Sequence, residues 1–173
     1  GADGLTVHPR PDLRHALPKD VLQLSELVNS EYQDIELNVE GNPFTNQSDN
    51  GYPGFMAMVL SIRPTQVTLV PDDDHQLTSD HGWELTEKSD LDRLRSVIER
   101  LRQVGCRVSL FMDADTEKIG QLEHIGAQRI ELYTGPFAKA HSLFGADGEE
   151  TENIFKEHIK AAVHAESLGL EAV

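Results

Sequence analysis

The sequence is short of cysteine, of aromatic residues and of positive charge, and two of these shortages exclude functions directly. One cysteine in 173 residues, Cys106, rules out a disulfide framework and suits a reducing compartment. It stands in VGCRVSLF at the head of an apolar run and reads as a small core residue. Lysine and arginine number 15 against 30 acidic residues, a net charge of −15. That balance argues against a nucleic-acid surface, which needs clustered cations to displace counterions from phosphates. No apolar run approaches the roughly 18 residues that span a bilayer, and the opening residues are not of the charged-then-apolar kind. GxGxxG and GxxxxGK[ST] are absent, so nucleotide cofactors have no phosphate-binding loop to point to them. What is present, 38% apolar and 26% charged residues, is the composition of one globular domain with a sizeable core.

Five runs share one grammar: GLTVH, DIELNVE, QVTLVP, RVSLFMD and RIELYTG. Each is rich in β-branched or large apolar residues and closes on a polar or turn residue, which predicts five strands. Helical spacing lies between them, over Pro18 to Asn29, Leu91 to Val104, Thr116 to His124 and Glu149 to Leu168, with a shorter stretch at Gly54 to Ser61. VGCRV, IGAQRI and LGLEAV each place a glycine where a helix C-cap belongs. GADGLTV, at the start, is the same joint with no helix in front of it, and LGLEAV reads as a strand that has only begun. The expectation is the middle of a longer βα repeat.

Alternating strands and helices imply a parallel sheet, either open and doubly wound or closed as a barrel. In DIELNVE, Glu36, Asn38 and Glu40 share one face and Ile35, Leu37 and Val39 the other. Thr6 and His8 likewise oppose Leu5 and Val7, and Glu131 and Tyr133 oppose Ile130 and Leu132. A sheet covered by helices on both faces should be apolar on both, so the recurrent polar face predicts a barrel interior. The expected fold is α/β, a (β/α)8 TIM barrel of which about strands 2–6 and the start of strand 7 are present, with residues 1–173 as a single partial domain.

Chemistry in such a barrel gathers at the C-terminal strand ends. Those ends carry His8 and Arg10, then Glu40, the loop after Pro71, Asp113, and Glu131 with Thr134. Arg10, Arg14 and His15 beside His8 suit a phosphate or carboxylate, or alternatively salt bridges on an acidic surface. Glu36 and Glu40 cannot both be buried ionised without partners; Glu40, nearer the catalytic end, is the candidate acid-base residue and Glu36 the structural one. Burial would raise the Glu131 pKa and neighbouring positive charge would lower it. Asp72, Asp73, Asp74, His75, Asp113 and Asp115 could in principle hold Mg²⁺, but they lack metal-site spacing, and Asp115 with Thr116 looks like a helix cap. No metal is expected. No lysine ends any of the five strands, which disfavours a Schiff-base aldolase.

GADGLTVHPRPDLRHAL, ELNVEGNP, TLVPDDDHQLTSDHGWEL, VSLFMDAD, IELYTGPFA and AESLGLEAV, in that order, resemble successive segments of the pyridoxine 5′-phosphate synthase family. The resemblance covers the whole chain. It implies an eight-fold barrel, assembled as a homo-octamer in the cytoplasm, that condenses 3-amino-2-oxopropyl phosphate with 1-deoxy-D-xylulose 5-phosphate without a redox cofactor. It implies His8 as proton acceptor, Glu40 as acid-base residue, Glu131 as transition-state stabiliser, and Arg10, His15 and Thr78 as phosphate-holding groups. The partners it implies are phosphorylated small molecules, with neither nucleic acid nor membrane. The loop after Glu40 is longer than in many members, and Tyr133 replaces a common histidine. The family's first strand and its later Gly-His-Gly segment have no counterpart here, so normal turnover is expected only of a longer protein. Another phosphate-binding barrel, an aldolase or isomerase, or a non-catalytic sugar-phosphate binding module are the alternatives.

Overall fold

Strands and helices alternate in the computed structural model, which describes residues 2–73 and 76–173. The order is β1 (Gly4–Val7), α1 (Pro18–Glu31), β2 (Glu36–Gly41), α2 (Phe55–Ile62), β3 (Gln66–Leu69), α3 (Lys88–Gln103), β4 (Arg107–Met112), α4 (Thr116–Gly120), β5 (Arg129–Leu132), α5 (Gly135–Phe144), α6 (Glu149–Ser167) and β6 (Glu171–Ala172). The strands form one sheet in chain order, and every neighbouring pair is parallel. A doubly wound sheet reverses its strand order at a switch point, and no reversal occurs among the described strands. Right-handed crossovers that all advance the same way bring their helices to the same face.

The two faces differ as the sequence alternation requires. Leu37, Val39, Val67, Leu69, Val108, Leu110, Met112 and Ile130 pack into one core with Val21, Phe55, Leu94, Ile98, Leu101, Ile119 and Ala165 from the helices. The opposite face carries Thr6, Glu36, Asn38, Glu40, Gln66, Thr68, Arg107, Ser109, Arg129 and Glu131, many of them bonded to one another across the strands. The fold is therefore α/β, an all-parallel six-stranded sheet flanked by helices, and it is compatible with a segment of a (β/α)8 barrel.

Local chemistry explains the joints. After α3, Gly105 adopts φ +94°, and the turn closes through Cys106 N to Leu101 O at 3.1 Å and Gly105 N to Arg102 O at 3.0 Å. After α6, Gly169 repeats it at φ +79° with Leu170 N to Ala165 O at 3.0 Å and Gly169 N to Glu166 O at 2.9 Å. Both are Schellman caps, in which a left-handed residue without Cβ lets two amides satisfy the last helical carbonyls. Cys106 is buried, and burial raises its thiol pKa. Two helices differ from the sequence reading. The Thr116–His124 stretch is helical only to Gly120; Asp115 caps it by accepting from Glu117 N at 2.8 Å and Lys118 N at 3.2 Å, but the chain then runs through turns, with His124 at φ +66°. α5 was not anticipated; Gly135 enters the sequence reading only as the turn residue that closes RIELYTG. Proline in a first helical turn lacks only an amide that has no intrahelical partner anyway, so Gly135 and Pro136 start a helix instead.

Candidate active site

The polar face ends in a cluster at the C-terminal strand ends. β1 leads directly into His8, whose ring lies between two carboxylates, Nδ1 3.9 Å from Glu40 Oε2 and Nε2 3.9 Å from Asp72 Oδ2. These separations are too long for hydrogen bonds. Burial drives the His8 pKa down to about 4, against the pull of Asp72 and with help from Arg10, His15 and Arg14. The ring is therefore neutral at pH 7. Burial drives Glu40 the other way, up to about 7, with Glu131 and Asp72 adding to the rise and a hydrogen bond from Asn38 opposing it. For Glu131 burial outweighs the neighbouring Arg129, and its pKa is raised. One carboxyl of elevated proton affinity, Glu40, thus faces a neutral imidazole, with a second, Glu131, near enough to act on the first, an arrangement suited to repeated proton transfer near neutral pH.

Arg10 is only 1% exposed. Its Nη1 donates to Asp72 Oδ2 at 2.8 Å and its Nη2 to the Gln76 carbonyl at 2.6 Å. Ser79 Oγ donates to the same Asp72 oxygen at 2.8 Å, and Arg14 Nη2 donates to the same Gln76 carbonyl. The loop after β1 and the loop after β3 are thereby joined through two guanidinium groups. His15 is exposed and stands edge-on to His8, with ring centroids 6.4 Å apart. Thr78 is exposed on the segment that Arg10 and Asp72 hold. The structure thus brings His8, Arg10, His15 and Glu40 together, sets Thr78 on the adjoining loop, and leaves Glu131 on β5, near enough for its charge to raise Glu40.

Asp72 is the residue that the sequence reading undervalued. PDDDHQ presented it as one carboxylate among several, whereas it is the buried partner of Arg10. The signal was its place, the first charged residue after β3, at the same end of the sheet as the arginine that follows β1. The other members of that proposed metal set have different partners. Asp113 accepts from Gly82 N at 3.0 Å and from Lys118 Nζ at 2.9 Å, and Asp115 caps α4. Asp74 and His75 lie outside the described residues. Among the described residues, no three histidine, cysteine or acidic side chains group as a metal site. Glu36 is paired with Arg107, as its assignment to a structural role anticipates.

A cleft of about 400 Å³ adjoins the cluster, lined by residues that include Pro11, Asn42, Phe44 and Asp72. A larger hollow of about 510 Å³ lies at α3, lined among others by Ile98, Arg102 and His124. None of the groups with shifted proton affinity at the strand ends lines it, so chemistry rather than volume assigns the site.

The family model described as pyridoxal phosphate biosynthesis protein PdxJ matches residues 1–173. A pyridoxine 5′-phosphate synthase of Xanthomonas campestris pv. campestris (strain B100) is 46% identical over 172 residues, 99% of this chain and 64% of that protein. The synthase of Xanthomonas axonopodis pv. citri (strain 306) is 49% identical over 147 residues, covering 85% and 56%, and that of Xylella fastidiosa (strain M23) is 43% identical over 170 residues, covering 98% and 62%. The chain therefore spans a little under two thirds of the length of these relatives. A chain in the crystal structure of the Amycolatopsis orientalis BexX/CysO complex, 17% identical, superposes with a TM-score of 0.46 over 100% of this chain and 70% of that one, and this likeness adds nothing to the fold described above.

Proposed function

The chain belongs to the PdxJ family, and from that premise we propose that the whole protein is a pyridoxine 5′-phosphate synthase, joining 3-amino-2-oxopropyl phosphate to 1-deoxy-D-xylulose 5-phosphate with release of phosphate and water. The observation that carries the reading is the His8–Glu40–Asp72 cluster, with Glu131 nearby, at the strand ends of a polar sheet face. Imine formation, dehydration and ring closure need a group that takes a proton and one that both gives and takes. Neutral His8 suits the first role, and Glu40, with a pKa of about 7, suits the second. Glu131, its proton affinity raised by burial, stabilises charge that develops across the site.

The substrate phosphates first meet exposed His15 and Thr78. Each terminal nitrogen of Arg10 already donates one of its two hydrogens, to Asp72 and to the Gln76 carbonyl, which leaves three N–H donors for phosphate oxygens, among them the buried Nε, which has no hydrogen-bond partner among the described residues. Residues 1–173 form one domain, part of a closed eight-stranded barrel whose interior is the polar face. The whole protein works as a cytoplasmic homo-octamer without metal or redox cofactor. Incubating it with both substrates and following pyridoxine phosphate by mass spectrometry tests the reaction. Product with wild type and its loss with His8→Asn or Glu40→Gln would support the reading. Substrate binding without product would favour a binding module, and cleavage or isomerisation of either substrate alone a different barrel enzyme.

A further inference from the structure

Across the polar face, from the N-terminal to the C-terminal strand ends, runs a line of side chains whose direction is forced. Arg107 Nε and Arg129 Nη1 both donate to Gln66 Oε1, at 2.8 and 2.9 Å. A guanidinium has donors and no acceptor, so the Gln66 oxygen faces the arginines and its amide nitrogen faces away. That nitrogen donates to Thr68 Oγ1 at 3.3 Å, and Thr68 passes its single hydroxyl proton to Asn38 Oδ1 at 3.1 Å. Asn38 then has only its NH₂ group to offer, one hydrogen to Thr6 Oγ1 at 3.3 Å and the other to Glu40 Oε1 at 3.2 Å. Reversing Gln66 would set its N–H₂ against the arginine donors, and reversing Asn38 would take the acceptor from the Thr68 hydroxyl proton and set the Asn38 oxygen against an ionised Glu40. Gln66, Thr68 and Asn38 are 5%, 0% and 8% exposed, so water does not compete for these donors.

We propose that Gln66, Thr68 and Asn38 are positioning residues that hold Glu40 by Oε1 and leave Oε2, the oxygen facing His8, to exchange protons. This rests on the acid-base role proposed above for Glu40. Two cations at the far end polarise each bond in turn, and the last N–H favours the carboxylate over the acid. Without the hydroxyl of Thr68, the Asn38 amide is free to turn and present its oxygen to Glu40, which reverses that preference.

Thr68→Val keeps the shape and deletes the hydroxyl. Carbon-13 NMR titration of the Glu40 carboxyl, assigned by its disappearance in Glu40→Gln, should show a midpoint raised by about half to one pH unit in Thr68→Val, and unchanged in Thr68→Ser. Asn38→Ala removes the donor itself, should raise the midpoint at least as far, and supplies the reading if Thr68→Val does not fold. The double variant should shift no further than Asn38→Ala alone, because both act through one bond. In the whole protein the pH profile of kcat should follow the NMR midpoint. A midpoint unmoved in both single variants, or shifts that add in the double variant, would overturn the relay. A midpoint that moves while the rate profile stays fixed would sustain the relay and remove Glu40 from its proposed catalytic role.

Discussion

Glu36 and Glu40 sit on the same face of the same strand, four residues apart, yet their proton affinities move in opposite directions. At the N-terminal end, Glu36 is exposed and bound by Arg107, whose hydrogen bond holds its carboxyl below the ordinary range. Arg129 is likewise paired with Glu171, at 2.7 Å. At the C-terminal end, Glu40 is half-buried, feels Glu131 and Asp72, and has no cationic partner among the described residues. One end of the sheet pairs its charges, and the other sets Glu40 beside a neutral imidazole while its arginine, Arg10, is taken by Asp72. The difference follows from where the arginines fall in the sequence: Arg107 and Arg129 open β4 and β5, whereas Arg10 follows β1 and is held by Asp72.

Turnover should separate the two ends most strongly. In the whole protein, His8→Asn and Glu40→Gln should each lower kcat by about 10²–10⁴-fold, while Glu36→Gln should leave it nearly unchanged. Comparable losses from Glu36→Gln and Glu40→Gln in steady-state assays would erase the distinction. Next in size is Arg10→Ala, which strands Asp72 in a buried site without its cation and should cost about 3–5 kcal/mol in denaturant unfolding. Arg10→Ala combined with Asp72→Ala should recover part of that loss.

The pH dependence of stability is a third contrast. Glu40 has a folded pKa of about 7, above the ordinary 4.5. The unfolded chain therefore releases this proton first as pH rises, and stability falls between those values. Glu40→Gln removes the penalty and should be more stable than wild type by up to about 3 kcal/mol at pH 8, with no gain below pH 4.5. The depressed pKa of His8 acts oppositely, lowering stability as pH falls from about 6.5 toward 4, so wild type should show a shallow optimum between the two effects. Glu36→Gln should change stability by no more than about 1 kcal/mol, as expected of an exposed ion pair.

The alternation of DIELNVE and its neighbours made the two faces of the sheet legible, because a period of two needs no tertiary information. The glycine caps at Gly105 and Gly169 were legible for a similar reason: only the local backbone conformation matters there. α5 was not, since glycine followed by proline serves a turn and a helix start equally well. His8 and Glu40 could be found by reading strand ends, but not the contrary directions of their pKa shifts, which depend on burial. The Arg10–Asp72 pair went unread, because 62 residues separate its members and Asp72 is the first of three consecutive aspartates. The relay through Gln66, Thr68 and Asn38 needed strand register, which only the folded sheet supplies.

The most direct test of the contrast is to titrate the side-chain carboxyls of Glu36 and Glu40 in one carbon-13 NMR experiment, assigning each by its glutamine variant. Glu40 should titrate with a midpoint near 7 and Glu36 below the ordinary 4.5. Two midpoints together in the ordinary range, or Glu36 titrating above Glu40, would contradict the assignment of acid-base chemistry to one end of the sheet and structural pairing to the other.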